Sequence, residues 1–371
     1  MPTRNGQRIH ANHRIDLSVG QPTIFLKYIP GNQYDNNTYY FPQSTEFYLD
    51  TARTLIKRLH AVAGNDDCKN KHIVFALGAS QLLSAAGYAF AKKYGCTSGV
   101  SIQKTIWPRV PALFNMGVLA YHDALKTLFP NKEIPTQPSS DTCHVIVSPN
   151  NPDGSIYNNT APWPACYDSC YNWPFYTKNV KKYNSVVCIY SAAKAIGVPG
   201  IRLGWATVTD SDIAKYMEEY VEITTIGISK PAIKSFNNIL EKWILGSRAK
   251  TYMESIRKEI LARRKLFNSA IKKHNKNNNI VIKVNNKEGM YVWATAKTKS
   301  KKVSELGPRK HSKINYIQDY IENTLGLKVL WGDYFFDKPD SFRINLCGDD
   351  LDFKLLIKRL TNAKTGKTGV R

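Results

Sequence analysis

Three short apolar runs, each halted by a turn, constrain the fold of this chain more than any other feature. They are His72-Ile73-Val74-Phe75-Ala76-Leu77 before Gly78, Val145-Ile146-Val147 before Ser148-Pro149, and Val186-Val187-Cys188-Ile189-Tyr190 before Ser191. Runs of this length, rich in β-branched residues and without polar alternation, read as strands buried on both faces. Helical patterns lie between them. Residues 49–63 put Ala52, Leu55, Ile56, Leu59 and Val62 on one face and Arg53, Lys57 and Arg58 on the other, and 82–91 is small and apolar. Residues 100–103, 118–122 and 204–208 are further strand candidates. Strands alternating with helices predict an α/β doubly wound sheet with parallel character, which binds ligands at the carboxyl ends of its strands.

With 371 residues the chain has room for a large domain and an appendage. Residues 1–44 read as an N-terminal arm and part of a small domain, 45–240 as the large domain, and 241–371 as an interdomain helix and a smaller α+β domain. No apolar run approaches the roughly 20 residues that a membrane span needs. The opening MPTRNGQRIHANHR is polar and basic, unlike a secretory signal. The seven cysteines are scattered, and the Cys166/Cys170 spacing matches no zinc or redox motif. The expectation is therefore free thiols in a reducing, cytoplasmic setting, with the sequons at Asn36 and Asn158 bearing no glycan. A net charge of +23 suits polyanion binding, but the basic residues are spread along the chain as a solvated surface would spread them. Gly366-Lys367-Thr368 lacks the first glycine and the preceding strand of a phosphate loop.

The chemistry concentrates after the third run. Lys194 stands just past the strand, Ser191 three residues before it, and Arg202 eight residues after it in a glycine-broken turn. A lysine so placed can form an imine with a phosphorylated aldehyde while the hydroxyl and the guanidinium hold the phosphate. The turn Gly78-Ala79-Ser80-Gln81 between strand and helix is a second anion cradle of backbone N–H groups. The loop Ser148-Pro149-Asn150-Asn151-Pro152-Asp153-Gly154 presents Asn151 at a strand end. Asp168 sits in apolar surroundings, where a carboxylate is costly unless paired. Trp107 suits either a stacking aromatic or a core position.

These motifs resemble fold-type I pyridoxal 5'-phosphate (PLP) enzymes, and among them the alliinase and tryptophan aminotransferase-related family. Besides Ser191, Lys194 and Arg202-Leu203-Gly204, four stretches carry the resemblance. They are Gly20-Gln21-Pro22-Thr23-Ile24-Phe25, the Ser148–Gly154 loop, Tyr171-Asn172-Trp173-Pro174-Phe175-Tyr176-Thr177, and Glu222-Ile223-Thr224-Thr225-Ile226-Gly227-Ile228-Ser229-Lys230. The resemblance implies a PLP cofactor held by Lys194, with Ser191, Arg202, Gly78, Ala79 and Ser80 at its phosphate. It implies Asp168 at the ring nitrogen, Tyr171 and Asn151 at the ring oxygen, and Trp107 stacked on the ring. Tyr40 would reach the phosphate of a second subunit, which implies a homodimer with shared active sites. Arg343, with Gly20 and Asn151, would bind the substrate.

The chain departs from the family's pattern at Ser169-Cys170, polar where relatives carry an apolar pair, and in two further places. Ala192-Ala193 stand where relatives carry Ser or Thr, and the EGF-like segment of secreted alliinases is not found in this sequence. The resemblance implies an aminotransferase that takes an L-amino acid and a 2-oxo acid, with an aromatic substrate such as tryptophan compatible with the aromatic residues. The alternatives are a C–S lyase of the alliinase type and a non-catalytic PLP-fold protein that meets nucleic acid.

Overall fold

A computed structural model of the chain describes residues 3–4, 7–8, 15–16, 46–65, 68–101, 103–128, 142–157, 165–242, 249–285, 287–299 and 313–363. Gly20 and Tyr40 lie outside these. The chain divides into two compact units, the larger comprising Phe25–Asn151 and Ser155–Arg257, the smaller Met1–Ile24, Pro152–Gly154 and Lys258–Arg371.

The larger unit is built on six strands: β1 His72–Ala76, β2 Ser98–Val100, β3 Thr142–Val147, β4 Ala165–Asp168, β5 Val187–Ser191 and β6 Gly204–Val208. Their order in the sheet is β1-β6-β5-β4-β3-β2. The pairs β2/β3, β3/β4 and β4/β5 are parallel, and β6 runs antiparallel to both of its neighbours, β5 and β1. Strands β4, β5 and β6 are buried throughout, as continuous apolar runs require. Helices α1 Glu46–Ala63, α2 Ala79–Tyr94, α3 Arg109–Leu128, α4 Ser211–Thr225 and α5 Lys230–Leu240 belong to this unit. The main core lies between the sheet and α2, α3 and α4. Helix α4 is capped by Asp210, whose carboxylate accepts from the Asp212 and Ile213 N–H groups.

Two expectations are corrected here. Residues 118–122 belong to α3, not to a strand. A run of four apolar residues and a histidine cannot by itself distinguish strand from helix. Close packing against α2 decides it: a Cβ on Gly117 would meet the Ser84 carbonyl oxygen at 1.8 Å, and one on Gly87 the Phe114 carbonyl oxygen at 2.0 Å. The two helix backbones touch through glycine. The expectation of free thiols fails at Cys96 and Cys143, which form a disulfide that joins the segment before β2 to β3. The spacing of 47 residues gives no hint of the pairing. The other five cysteines are in no disulfide and are buried.

Helix α6, Ala249–Asn277, leads into the smaller unit, whose four-stranded antiparallel sheet comprises β7 Ile280–Val284, β8 Tyr291–Thr298, β9 Leu330–Trp331 and β10 Ser341–Asn345 in the order β7-β8-β10-β9. Helices α7 Lys313–Asp319 and α8 Asp350–Asn362 complete it. Its core includes Phe267, Ile282, Val292, Phe342 and Leu356. Among the described residues no helix is long and apolar enough to cross a membrane.

Candidate active site

Parallel strands bring their carboxyl ends, and the turns that follow, to one edge of a sheet. Asp168 closes β4 and Ser191 closes β5. The antiparallel β6 begins at the same edge, with Gly204 paired to Ser191. Ser191 caps one helical turn, Ala192–Ala195, by accepting from the Ala193 N–H at 3.2 Å. That turn carries Lys194. Accepting this bond leaves the Ser191 hydroxyl proton for another partner.

Several residues expected at a cofactor ring lie near Lys194 or near one another. The Lys194 Nζ stands 5.8 Å from the centre of the Tyr171 ring. Asn151 Nδ2 donates to the Tyr171 hydroxyl at 3.3 Å. The Trp107 N–H donates to the Asn151 carbonyl at 3.0 Å, which holds the tryptophan's backbone beside that asparagine. Asp168 is only 5% exposed. Burial raises its pKa; the Cys170 thiol and backbone N–H and the positive charge of Lys194 oppose that rise. The N–H contact is 3.1 Å. A buried carboxylate held this lightly is suited to a cationic partner.

Gly78 and Arg202, both expected at a phosphate, lie together. Gly78 has φ 94°, and a Cβ there would come within 3.1 Å of the Arg202 guanidinium. A Cβ on Gly204 would meet the Gly78 backbone at 2.7 Å. Glycine at both points lets backbone, rather than side chains, line the cradle. Helix α2 starts at Ala79 with no side-chain cap, so the N–H groups of Ala79 and Ser80 face the turn without one. Arg202 itself has φ 54°, an uncommon conformation for a non-glycine residue that clusters at functional sites. Its guanidinium bonds the Leu77 carbonyl at 3.2 Å. Arg343 lies in the smaller unit, buried on β10, with its guanidinium 4.1 Å from the Tyr291 ring centre and 5.3 Å from that of Phe335. That arrangement keeps a cation in apolar surroundings by facing it onto aromatic rings.

Sequence reasoning missed several supporting residues. Gln103 bonds both polar atoms of one backbone residue, with Nε2 donating to the Val147 carbonyl at 2.8 Å and Oε1 accepting its N–H at 2.7 Å. Its amide stands in for a strand partner at the end of β3, after β2 has stopped. Asn150 Nδ2 donates to the Thr105 carbonyl, so the Trp107 loop and the Asn151 loop are tied together at several points. The Tyr176 hydroxyl donates to the Lys194 carbonyl at 3.1 Å. Gln81 braces the phosphate turn through the Leu77 N–H. Spacing offers no route to such pairings, because Gln103 and its partner are 44 positions apart.

Anion donors at one end, and a lysine with a buried carboxylate at the other, suit a phosphorylated pyridine aldehyde such as PLP. The glycine cradle and Asp168 are the features that fit it.

Comparison with known proteins bears on the family and the fold. The family model described as Allinase matches residues 29–364. Tryptophan aminotransferase-related protein 2 of Arabidopsis thaliana is 31% identical over 236 residues, 58% of this chain and 51% of that protein. Alliin lyase of Allium cepa var. aggregatum is 25% identical over 207 residues, 52% of this chain and 44% of the relative. Such matches span about half the length of these curated relatives. Among solved structures, aspartate aminotransferase from Rhizobium meliloti superposes with a TM-score of 0.62 at 16% identity, covering 94% of this chain and 90% of that one. The fold is that of the fold-type I PLP-dependent transferases, and the chain belongs to the alliinase family.

Proposed function

We propose that this protein is a PLP-dependent aminotransferase that moves the amino group of an L-amino acid to a 2-oxo acid. The observation that carries the reading is Lys194 at the end of β5, beside Tyr171 and coupled in charge to the buried Asp168. PLP, when bound, supplies an electron sink for cleavage of a bond at the substrate Cα. Lys194 would hold the cofactor between turnovers and then move the proton between Cα and the cofactor carbon as general base and acid. Asp168 would keep the pyridine nitrogen protonated by charge pairing. Asn151 and Tyr171 would orient the ring oxygen, and Trp107 would face the ring. The cradle of Gly78, Ala79, Ser80, Ser191 and Arg202 would bind the phosphate. Arg343 would take the substrate carboxylate bidentately and so select α-amino acids. Gly20 and Tyr40 join the proposal through the family resemblance alone, Tyr40 as a contribution to a second subunit's site in a homodimer.

An aromatic substrate such as tryptophan is favoured by the relatives named for tryptophan aminotransferase. The alliin lyase relatives favour elimination at Cβ as the competing reaction. The cytoplasmic setting expected from the cysteines meets one opposing feature, since a bridge such as Cys96–Cys143 persists mainly in oxidising compartments.

Purified protein supplied with PLP is expected to show a visible absorbance band, and Lys194→Ala to lose both the band and the activity. Assay with L-amino acids and a 2-oxo acid should yield a new amino acid. Ammonia release without an oxo-acid acceptor would replace the transaminase reading by the lyase. A colourless wild type would defeat both.

A further inference from the structure

Gln81 stands in the first turn of α2, three residues after the N-cap Gly78. A glutamine there ordinarily reaches back to the N-cap N–H. Here it reaches one residue further. Its Oε1 accepts the Leu77 N–H at 2.8 Å, while the Gly78 N–H turns to the Ala76 carbonyl at 2.7 Å. The Leu77 carbonyl accepts from Arg202 at 3.2 Å. Leu77 is thus gripped at its N–H by Gln81 and at its carbonyl by Arg202, and the residue that follows is the cradle glycine.

The other end of Gln81 is anchored far away in sequence. Its Nε2 donates to the Thr224 hydroxyl at 2.7 Å and to the Thr225 hydroxyl at 3.1 Å. Those hydroxyls place their own protons on backbone: Thr224 on Tyr220 at 2.8 Å, and Thr225 on either Val221 at 3.0 Å or Gly227 at 2.9 Å. Their lone pairs are thereby left for the amide. The helix ends just beyond them at Ile226, which is 79% exposed and has φ 52°. A β-branched residue in that conformation is a backbone outlier. The fold holds this strained end where its two threonines meet Gln81.

We propose that Gln81, held by Thr224 and Thr225, is a positioning residue that sets the orientation of the anion-binding turn at Gly78, Ala79 and Ser80. It acts on the cofactor phosphate through the backbone and not by contact. The proposal rests on the PLP reading above. It separates phosphate binding from ring binding, so apoprotein is titrated with PLP and with pyridoxal, which has the same ring and aldehyde and no phosphate. Binding is read by tryptophan fluorescence and by the visible band.

Gln81→Met, of similar length and without the amide, should weaken PLP binding about tenfold, the scale of one or two lost hydrogen bonds. Pyridoxal binding should change less than about twofold. The Thr224→Val, Thr225→Val pair should act in the same direction, and adding it to Gln81→Met should cost little more, because both act through one chain of bonds. Undiminished PLP affinity in both variants would overturn the proposal, and so would an equal loss for PLP and pyridoxal. Should Gln81→Met not fold, as judged by circular dichroism, the threonine pair carries the same test alone. If the wild type binds neither ligand, the PLP reading falls and this proposal with it.

Discussion

Arg263 and Asp168 are both buried charges, and the two units treat them differently. Arg263, 2% exposed in the smaller unit, is saturated. Its Nε bonds Glu259 at 3.0 Å, one terminal nitrogen bonds the Leu346 and Gly348 carbonyls, and the other meets Asp350. Its guanidinium also lies over the Phe353 ring. Asp168 in the larger unit has the Cys170 N–H and thiol, and the field of Lys194. Burying a charge is expensive, and the cost is met either inside the protein or by a ligand. Arg263 shows the first arrangement and reads as architecture. Asp168 shows the second and reads as a site.

The largest effect expected from breaking this contrast is at Arg263. Arg263→Leu removes the donor to the Leu346 and Gly348 carbonyls and should cost about 3–5 kcal/mol, at roughly 1–3 kcal/mol for each acceptor left unsatisfied, measured by urea unfolding. A loss below about 1 kcal/mol would mean the saturated network is dispensable. Asp168→Asn should have two opposite effects. Activity should fall on the order of 10²–10³-fold, while the apoprotein should gain about 1 kcal/mol at neutral pH, as replacing a functional group that is costly to bury commonly does. An apoprotein destabilised by the change would show that Asp168 is a structural charge like Arg263.

The smallest effect sharpens the comparison through pH. Asp210 is the carboxylate that caps α4 and pairs with Lys93 at 2.5 Å. Its pKa is lowered: burial pushes it up, and the bonds from Lys93 and from the Ile213 and Asp212 N–H groups overcome that. A lowered carboxylate contributes stability above its unfolded pKa, and that contribution is lost as pH falls through the folded value. Asp168, whose pKa is raised, has the opposite sign. Its contribution is present in acid and is lost as pH rises through the folded value. Asp210→Asn keeps a cap and loses the ion pair, so it should cost less than about 1 kcal/mol at neutral pH. Melting curves of Asp210→Asn and Asp168→Asn across pH should differ from wild type with opposite signs near neutrality, both differences shrinking in acid. Differences of the same sign would refute the assignment of the two carboxylates.

Much of the larger unit was legible in one sequence. The strand ending at Ser191 and the helix after Gly78 follow from short-range rules, since a β-branched run without polar alternation has few places to go but the inside of a sheet. Residues 118–122 were not legible, because so short a mostly apolar stretch suits either period and a glycine contact with α2 settled the matter. The exposure of Val62, on a face read as apolar, likewise depends on what packs against α1.

By itself the sequence determined the residue types that could do the chemistry and the turns that present them: a lysine past a buried strand, a carboxylate in apolar surroundings and a glycine before a helix. These are local, because strand, turn and helix preferences act over a few residues. Only the tertiary structure decided that Asn151 meets Tyr171, that Gln81 reaches Thr224 across 143 positions, that Cys96 joins Cys143, and that Arg263 is paired with carboxylates while Asp168 is buried in the field of Lys194. Those pairings join segments that no periodicity links. The physical reason is that burial and hydrogen-bond saturation are properties of the packed molecule, and neither has a value until the distant partner is in place.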